Sequence, residues 1–148
     1  MIRAAQPTDA GGVGAILSQF TDGAAWMPRL YSGAEILSFA GIMVDRGWVH
    51  VLEPEGQGTG IAGFLALDRG YVHGLYMAVG RRGQGLGRRL LDHAKARAPR
   101  LELRSHQANT GALRFYLREG FHEAGRGDGA ENDEGLPDIR LIWERAEG

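Results

Sequence analysis

The chain contains no cysteine, which excludes disulfides, a thiol nucleophile, an iron–sulfur cluster and a cysteine-ligated zinc, and fits a reducing compartment. It has no uninterrupted apolar run near the length of about 18 residues that a membrane span needs. The opening Met1-Ile2-Arg3-Ala4-Ala5-Gln6-Pro7 has no apolar core of a secretory signal. A cytoplasmic protein without a membrane partner is therefore expected. Neither sign of charge is in excess: 17 Lys and Arg against 18 Asp and Glu leave a formal net charge of -1. That balance provides no global basic field for a nucleic acid, and no nucleic-acid partner is expected. No His, Asp or Glu group has the spacing of metal ligands, and no metal is predicted.

What is present describes an ordinary globular chain. Its 148 residues suit one hydrophobic core, so residues 1–148 are expected to form a single domain. The 43% hydrophobic and 24% charged fractions and a mean hydropathy of -0.25 agree. The 24 glycines are well above the usual share of about 7%, but they are spread among apolar runs and read as turns and close backbone approaches. Charge is uneven along the chain. Arg81, Arg82, Arg88, Arg89, Lys95, Arg97, Arg100 and Arg104 crowd one stretch, and Glu119, Glu123, Asp128, Glu131, Asp133, Glu134 and Asp138 the next. The first is suited to an anion, the second to a cation.

Hydrophobic periodicity gives the elements. Ile2 to Ala5 reads as an edge strand, and Thr8-Asp9 starts a helix with apolar residues at Val13, Ile16, Leu17 and Phe20. Thr21 to Tyr31, with Gly23, Trp26 and Pro28, reads as a loop. Ser32 followed by Glu35 forms a capping box for a helix with Ile36, Leu37, Ala40, Met43 and Val44, which Gly47 ends. Strands at 48–52, 61–67 and 71–79, joined through the turn-rich Pro54 to Gly60 and through Asp68-Arg69-Gly70, make an antiparallel meander. Leu86, Leu90, Leu91, Ala94 and Ala98 then mark a helix stopped by Pro99, and 101–105 returns as a strand parallel to 71–79. A helix over 110–119, a strand from Phe121, an acidic Gly-rich loop and a final strand over 139–143 complete the chain. The fold class is α/β of the α+β type. It has a mixed, mostly antiparallel sheet of six to seven strands, about four helices and one parallel junction in its middle.

The most informative stretch is Val79-Gly80-Arg81-Arg82-Gly83-Gln84-Gly85-Leu86-Gly87-Arg88-Arg89-Leu90, between a strand and a helix start. Exposed backbone N–H groups and the helix dipole favour a phosphate there, and glycines let the backbone approach it. A P-loop is excluded because the chain's one lysine, Lys95, is followed by Ala96. A Rossmann fingerprint fails because its third small position falls on Arg88 or Leu90.

What remains is Arg82-x-x-Gly85-x-Gly87, preceded by Leu75-Tyr76-Met77-Ala78-Val79. It resembles the pyrophosphate loop and fourth strand of the GNAT superfamily of acyl-CoA-dependent N-acetyltransferases. Downstream, Asn109-x-x-Ala112-x-x-Phe115-Tyr116-x-x-x-Gly120-Phe121 is similar to that family's asparagine-to-tyrosine helix. The resemblance covers roughly residues 61 to 125. It implies that the two parallel strands splay apart around acetyl-CoA, with backbone groups of Met77 and Val79 on the pantetheine arm. N–H groups from Arg82 to Arg88, including Gly83, Gly85 and Gly87, would hold the pyrophosphate.

The implied reaction is direct attack of a primary amine on the thioester through a tetrahedral intermediate, and the acceptor is a small molecule or a peptide. Tyr116 matches the family's general acid; as an ordinary residue it would be a packed helix aromatic beside Phe115. Asn109 binds the cofactor arm or caps its helix. The general base is open between water, His73, Glu102 and His106, and Glu102, Arg104 and His106 on one strand face equally suit an ion network. His50 and His93 read as surface or packing residues. Trp26, Pro28 and Tyr31 would line the acceptor side, with the acidic segment 128–138, notably Glu131, Asp133 and Glu134, at its mouth; as bland alternatives, both are solvated loops. The resemblance also admits a homodimer through the final strands. The competing function class is a non-catalytic acyl-CoA-binding module.

Overall fold

The computed structural model describes residues 1–54, 60–80 and 85–146, so the link at 55–59 lies outside the described residues. Seven strands form one sheet, in chain order β1 (Ile2–Ala4), β2 (Val49–Leu52), β3 (Gly63–Asp68), β4 (Tyr71–Met77), β5 (Arg100–His106), β6 (His122–Gly127) and β7 (Asp138–Glu144). Four helices pack on it: α1 (Ala10–Gly23), α2 (Gly33–Asp45), α3 (Leu86–Lys95) and α4 (Thr110–Arg118). The spatial order is β1-β2-β3-β4-β5-β7-β6. The pairs are antiparallel except β4 with β5. This is the expected mixed sheet with one parallel junction in its middle.

The period of two along the strands sends apolar side chains to both faces, so the sheet separates two cores. Val49, Val51, Phe64 and Ala66 meet Val13 and Ile16 of α1 and Ala40 and Val44 of α2. Leu52, Leu65, Val72, Leu101, Leu103 and Leu141 meet Leu90, Leu91 and Ala94 of α3 and Tyr116 of α4. The capping box of α2 is formed: Glu35 N–H donates to Ser32 Oγ at 3.1 Å and Ser32 N–H to Glu35 Oε1 at 3.0 Å. Gly47, at φ 77°, ends that helix in the conformation glycine tolerates best.

Helices α1 and α3 depart from the sequence reading, and β4 ends at Met77 instead of Val79. The start signal at Thr8-Asp9 begins a short 3-10 turn over Pro7–Asp9, and α1 then runs through Thr21 to Gly23, residues expected to be loop. Thr21 lies within the helix, its hydroxyl donating to the Leu17 carbonyl one turn back at 3.1 Å. Helix α3 stops at Lys95, short of Ala98, where the Arg97 N–H turns to the Ala94 carbonyl at 3.0 Å; Ala98 is buried from the connecting turn.

Between β2 and α3 the rings of His50 and His93 lie 4.7 Å apart. His50 Nδ1 and His93 Nε2 are buried without a hydrogen-bond partner among the described residues. Burial, and then the nearby Arg97, hold both imidazoles below their usual range, His93 down to about 4. From about pH 6.5 down to 4 the unfolded chain therefore binds protons that the folded chain refuses, and this contribution to stability falls as pH falls. Thermal unfolding at steps from pH 7.5 to 4.5 is expected to show a falling Tm. His93→Gln should make that fall shallower by a few degrees, whereas an identical slope in the variant would show that the pair does not titrate in this window.

Candidate active site

The site begins where β4 and β5 part. Tyr71 pairs with Glu102, and Glu102 N–H donates to the Gly70 carbonyl at 2.8 Å. No further parallel pair follows among the described residues. Above this joint β4 stays paired with β3 up to Met77, and β5 with β7 up to His106. Each strand is held by its outer neighbour, so the middle of the sheet opens. The gap is a cleft of ≈ 720 Å³, walled by Leu75, Tyr76 and Met77 on one side and by Leu103, Ser105 and His106 on the other. Its ends are closed by Gly85, Leu86, Gly87 and Arg88 and by α4 from Asn109 to Glu119. Register also shifts in β4: Val72 pairs with Leu67 and Gly74 with Ala66, leaving His73 as the extra residue of a bulge.

The start of α3 points its free backbone donors toward one end of this gap. Gly85 is its N-cap at φ 74°, a left-handed conformation that glycine adopts without strain. The next N–H groups have no intrahelical partner by construction, which makes the first turn a ready anion site. The Arg88 side chain lies 3.7 Å from Glu119 and 3.9 Å from Asp92. At Gly87, an added Cβ would meet the Phe115 ring at 3.6 Å, so α3 packs close to α4 here. Arg82 and Gly83, central to the sequence motif, lie outside the described residues. Val79 lies beyond the cleft wall, 66% exposed, and its N–H donates to Gln19 Oε1 at 3.2 Å.

Helix α4 places the other motif. Asn109 Oδ1 accepts from the Ala112 N–H at 3.2 Å, so its side chain is the cap of α4 while the residue also lines the cleft. Tyr116 faces the cleft at 7% exposure, its ring edge-on to Phe115 and Phe121, each at 5.2 Å. Burial, and next Tyr76, push its phenol well above the usual range.

Of the base candidates, Glu102 is held by Arg100 and Arg140, each at 3.2 Å, and Arg104 faces Asp138 at 3.6 Å. The ion network is what this strand face forms. His73 stacks flat on Trp48 at 4.3 Å, with Asp68 at 3.9 Å. His106 lines the cleft with its Nε2 3.8 Å from Glu134 Oε1, and its Nδ1 is buried and unpartnered among the described residues.

The acidic segment is largely exposed but tied to the early loop. Tyr31 O–H donates to Asp133 Oδ2 at 2.7 Å across 102 positions of sequence, and Asn132 Nδ2 pins the loop to the Leu136 carbonyl at 2.8 Å. Trp26 stands edge-on to His106 at 5.4 Å. The early and acidic loops thus meet around a second cavity of ≈ 170 Å³ whose lining includes Pro28, Tyr31, Phe39 and Glu134, with Trp26 outside both linings. Phe20 and Tyr76 wall both spaces. Glu131 is exposed and apart from both linings.

With this geometry in view, the sequence pattern of the acetyltransferase (GNAT) domain matches residues 45–123. The chain belongs to the GNAT acetyltransferase family. Among its relatives is the peptidyl-lysine N-acetyltransferase YjaB of Salmonella typhimurium, 33% identical over 81 residues, or 55% of this chain and 56% of that protein. The match thus spans about half the length of that curated relative. Two solved structures share the GNAT fold. Apo YjaB from Escherichia coli has a TM-score of 0.79 at 23% identity over 99% of this chain and 98% of that one. The yncA structure from Salmonella typhimurium, solved with its cofactor acetyl-CoA, has a TM-score of 0.71 at 20% identity over 100% and 95%.

Three residues of this GNAT site went unread in the sequence or were given no such place: Phe20, taken as helix core, Tyr76, taken as strand, and Phe39. Their signal was weak. Each sits in an apolar pattern that a core explains equally well; Phe20 and Tyr76 are set apart by the opening between β4 and β5 and Phe39 by the second cavity, neither of which has a local signature.

Proposed function

We propose that the chain transfers an acetyl group from acetyl-CoA to a primary amine, and that residues 1–148 act as one catalytic domain. The observation that carries this reading is the parting of β4 from β5 above Tyr71 and Glu102, with the start of α3 at the mouth of the gap. An extended, amide-bearing arm fits between such strands as an added strand, on their unpaired backbone groups. Met77 presents its backbone to the arm; Val79, whose N–H is engaged by Gln19, has its carbonyl to offer. Gly85, Gly87 and Arg88 hold the pyrophosphate by backbone N–H groups, completed by Arg82 and Gly83. Asn109 serves by fixing the start of α4.

Holding the thioester beside the amine replaces a bimolecular encounter with an oriented one, an advantage of about 7–11 kcal/mol in favourable cases. The unprotonated amine attacks the thioester carbonyl, and a backbone N–H of the parted β4 stabilises the oxyanion. Tyr116 gives its proton to the departing thiolate. For the acceptor's proton, His106 is the best placed of the three side chains, since Glu102 is committed to two arginines and His73 to Trp48.

The test is a thermal shift with CoA followed by thiol release from acetyl-CoA with a panel of amines. CoA is expected to raise Tm and amines to release thiol. Gly85→Val should weaken CoA about tenfold or more, and Arg89→Ala far less, because recognition runs through backbone donors at the helix start. Equal CoA affinity in a folded Gly85→Val variant would remove the cofactor assignment. A CoA shift without thiol release from any amine would leave a non-catalytic acyl-CoA-binding module.

A further inference from the structure

We propose that the ≈ 170 Å³ cavity between the early loop, α2 and the acidic loop is the acceptor pocket. In this proposal it takes a primary ammonium on a short apolar stem and holds it by the carboxylate of Glu134. The proposal rests on the acetyltransferase reading for its chemistry, and on the cavity's own walls for its selectivity. Those walls are aromatic and aliphatic: Phe20, Tyr31, Phe39, Tyr76, Met27 and Pro28. Against them stands one carboxylate, Glu134. A cation on an apolar stem is the ligand that satisfies both, since the stem buries against the rings while the charge meets the carboxylate and the ring faces.

Three observations tie the pocket to acetyl transfer. Phe20 and Tyr76 belong to its wall and to that of the cofactor cleft, so an amine seated there lies against the space where the thioester would be held. The carboxylate stands beside the cleft: Glu134 Oε1 lies 3.8 Å from His106 Nε2, and the neighbouring Asp133, which accepts a 2.7 Å hydrogen bond from Tyr31, ties its loop to the pocket wall. The rim is apolar and uncovered, with Leu30 46% and Phe39 44% exposed. Exposed apolar surface at a cavity mouth marks a place where a ligand docks. The cavity is below the roughly 300 Å³ at which drug-sized ligands are usually held, so it suits a single short stem. That stem belongs either to a free small amine or to a lysine side chain, and both present the same chemistry.

Two readouts test the pocket separately from catalysis. Binding of 2-phenylethylamine without acetyl-CoA is followed by chemical-shift changes at Tyr31, Phe39 and Glu134. Thiol release is then compared for 2-phenylethylamine, an N-acetyl-lysine amide and ethanolamine, whose stem is polar. Both apolar-stem amines are expected to exceed ethanolamine in kcat/KM by about tenfold or more, as burial of several methylene groups requires. Whichever of the two is faster identifies the source. Glu134→Gln should raise KM for the apolar-stem amines about tenfold and leave the KM for acetyl-CoA unaltered. Phe39→Ala should raise their KM by a larger factor than that of ethanolamine. Equal use of all three amines, or unchanged amine binding in Glu134→Gln, would overturn the pocket. Failure of CoA to bind, with 2-phenylethylamine still docking at Tyr31 and Phe39, would count against the acetyltransferase reading alone.

Discussion

Tyr116→Phe is expected to lower kcat by about 10²–10⁴-fold, the range general acid catalysis supplies, while KM for acetyl-CoA and thermal stability stay close to those of the parent. The substitution removes one oxygen and keeps the ring, so packing against Phe115 and Phe121 persists. What is lost is the proton for the thiolate. A thiol with a pKa of about 8.5 leaves readily as the anion, and a phenol of pKa about 10 is a serviceable donor to it. Burial, and then Tyr76, raise the Tyr116 phenol above that ordinary value. A raised phenol stays protonated through the neutral and mildly alkaline range, so in the proposed role Tyr116 keeps its proton there, as a weaker acid than an ordinary phenol. The rate should therefore rise with pH as the acceptor amine loses its proton, with no descending limb from Tyr116 below about pH 10. Single-turnover thiol release from pH 6 to 10, for parent and variant, measures both effects. An unchanged rate in the variant would mean that water protonates the thiolate and that Tyr116 is a packing residue.

Most of what positions this site was legible because it is written in short-range pattern. The box of Ser32 with Glu35, the stop at Gly47, the stripe of Leu90, Leu91 and Ala94, and the alternation of Val49 with Val51 each encode one element within a few residues. The match over residues 45–123 rests on the same central stretch. What escaped is non-local. The parting of β4 from β5 is implied only by the family resemblance, and no local pattern between 71 and 106 signals it, because β3 and β7 each hold their own partner strand. Glu102 passed as a base candidate because the arginine that claims it, Arg140, arrives from the last strand. The bond that ties the exposed acidic segment to the early loop has no local signal, because Tyr31, the partner of Asp133, lies in the first quarter of the chain. Within α1, the helix runs on to Gly23, the glycine from which an earlier end was read, and stops there.

The joint below that opening carries the largest stability effect expected in the molecule. Arg69 and Gly70 form the two-residue turn between β3 and β4, at φ 55° and 104°, the signs of the tight hairpin turn that suits twisted strands. The Gly70 carbonyl accepts from Glu102 N–H at 2.8 Å, and a Cβ at Gly70 would stand 2.7 Å from the Arg100 carbonyl oxygen. The turn is thus pressed backbone to backbone against β5, at the point from which the two strands diverge. Gly70→Ala must both tolerate a left-handed φ and push β5 away. The first costs about 1–2 kcal/mol; with displacement of a strand whose Leu101 and Leu103 are buried in the core the total should reach about 3–4 kcal/mol, a Tm lower by roughly 10 °C for a chain of this size. Gly47→Ala separates the two contributions, because Gly47 also has a positive φ, 77°, but nothing within 4 Å of an added Cβ. It should lose about 1 kcal/mol and leave CoA affinity unaltered. Gly70→Ala, measured at a temperature where it is folded, should also bind CoA more weakly, since moving β5 at its base changes the width of the gap above. Equal losses of Tm in the two variants would show that β5 yields at this joint without cost, and that the width of the cleft is set by β3 and β7 alone.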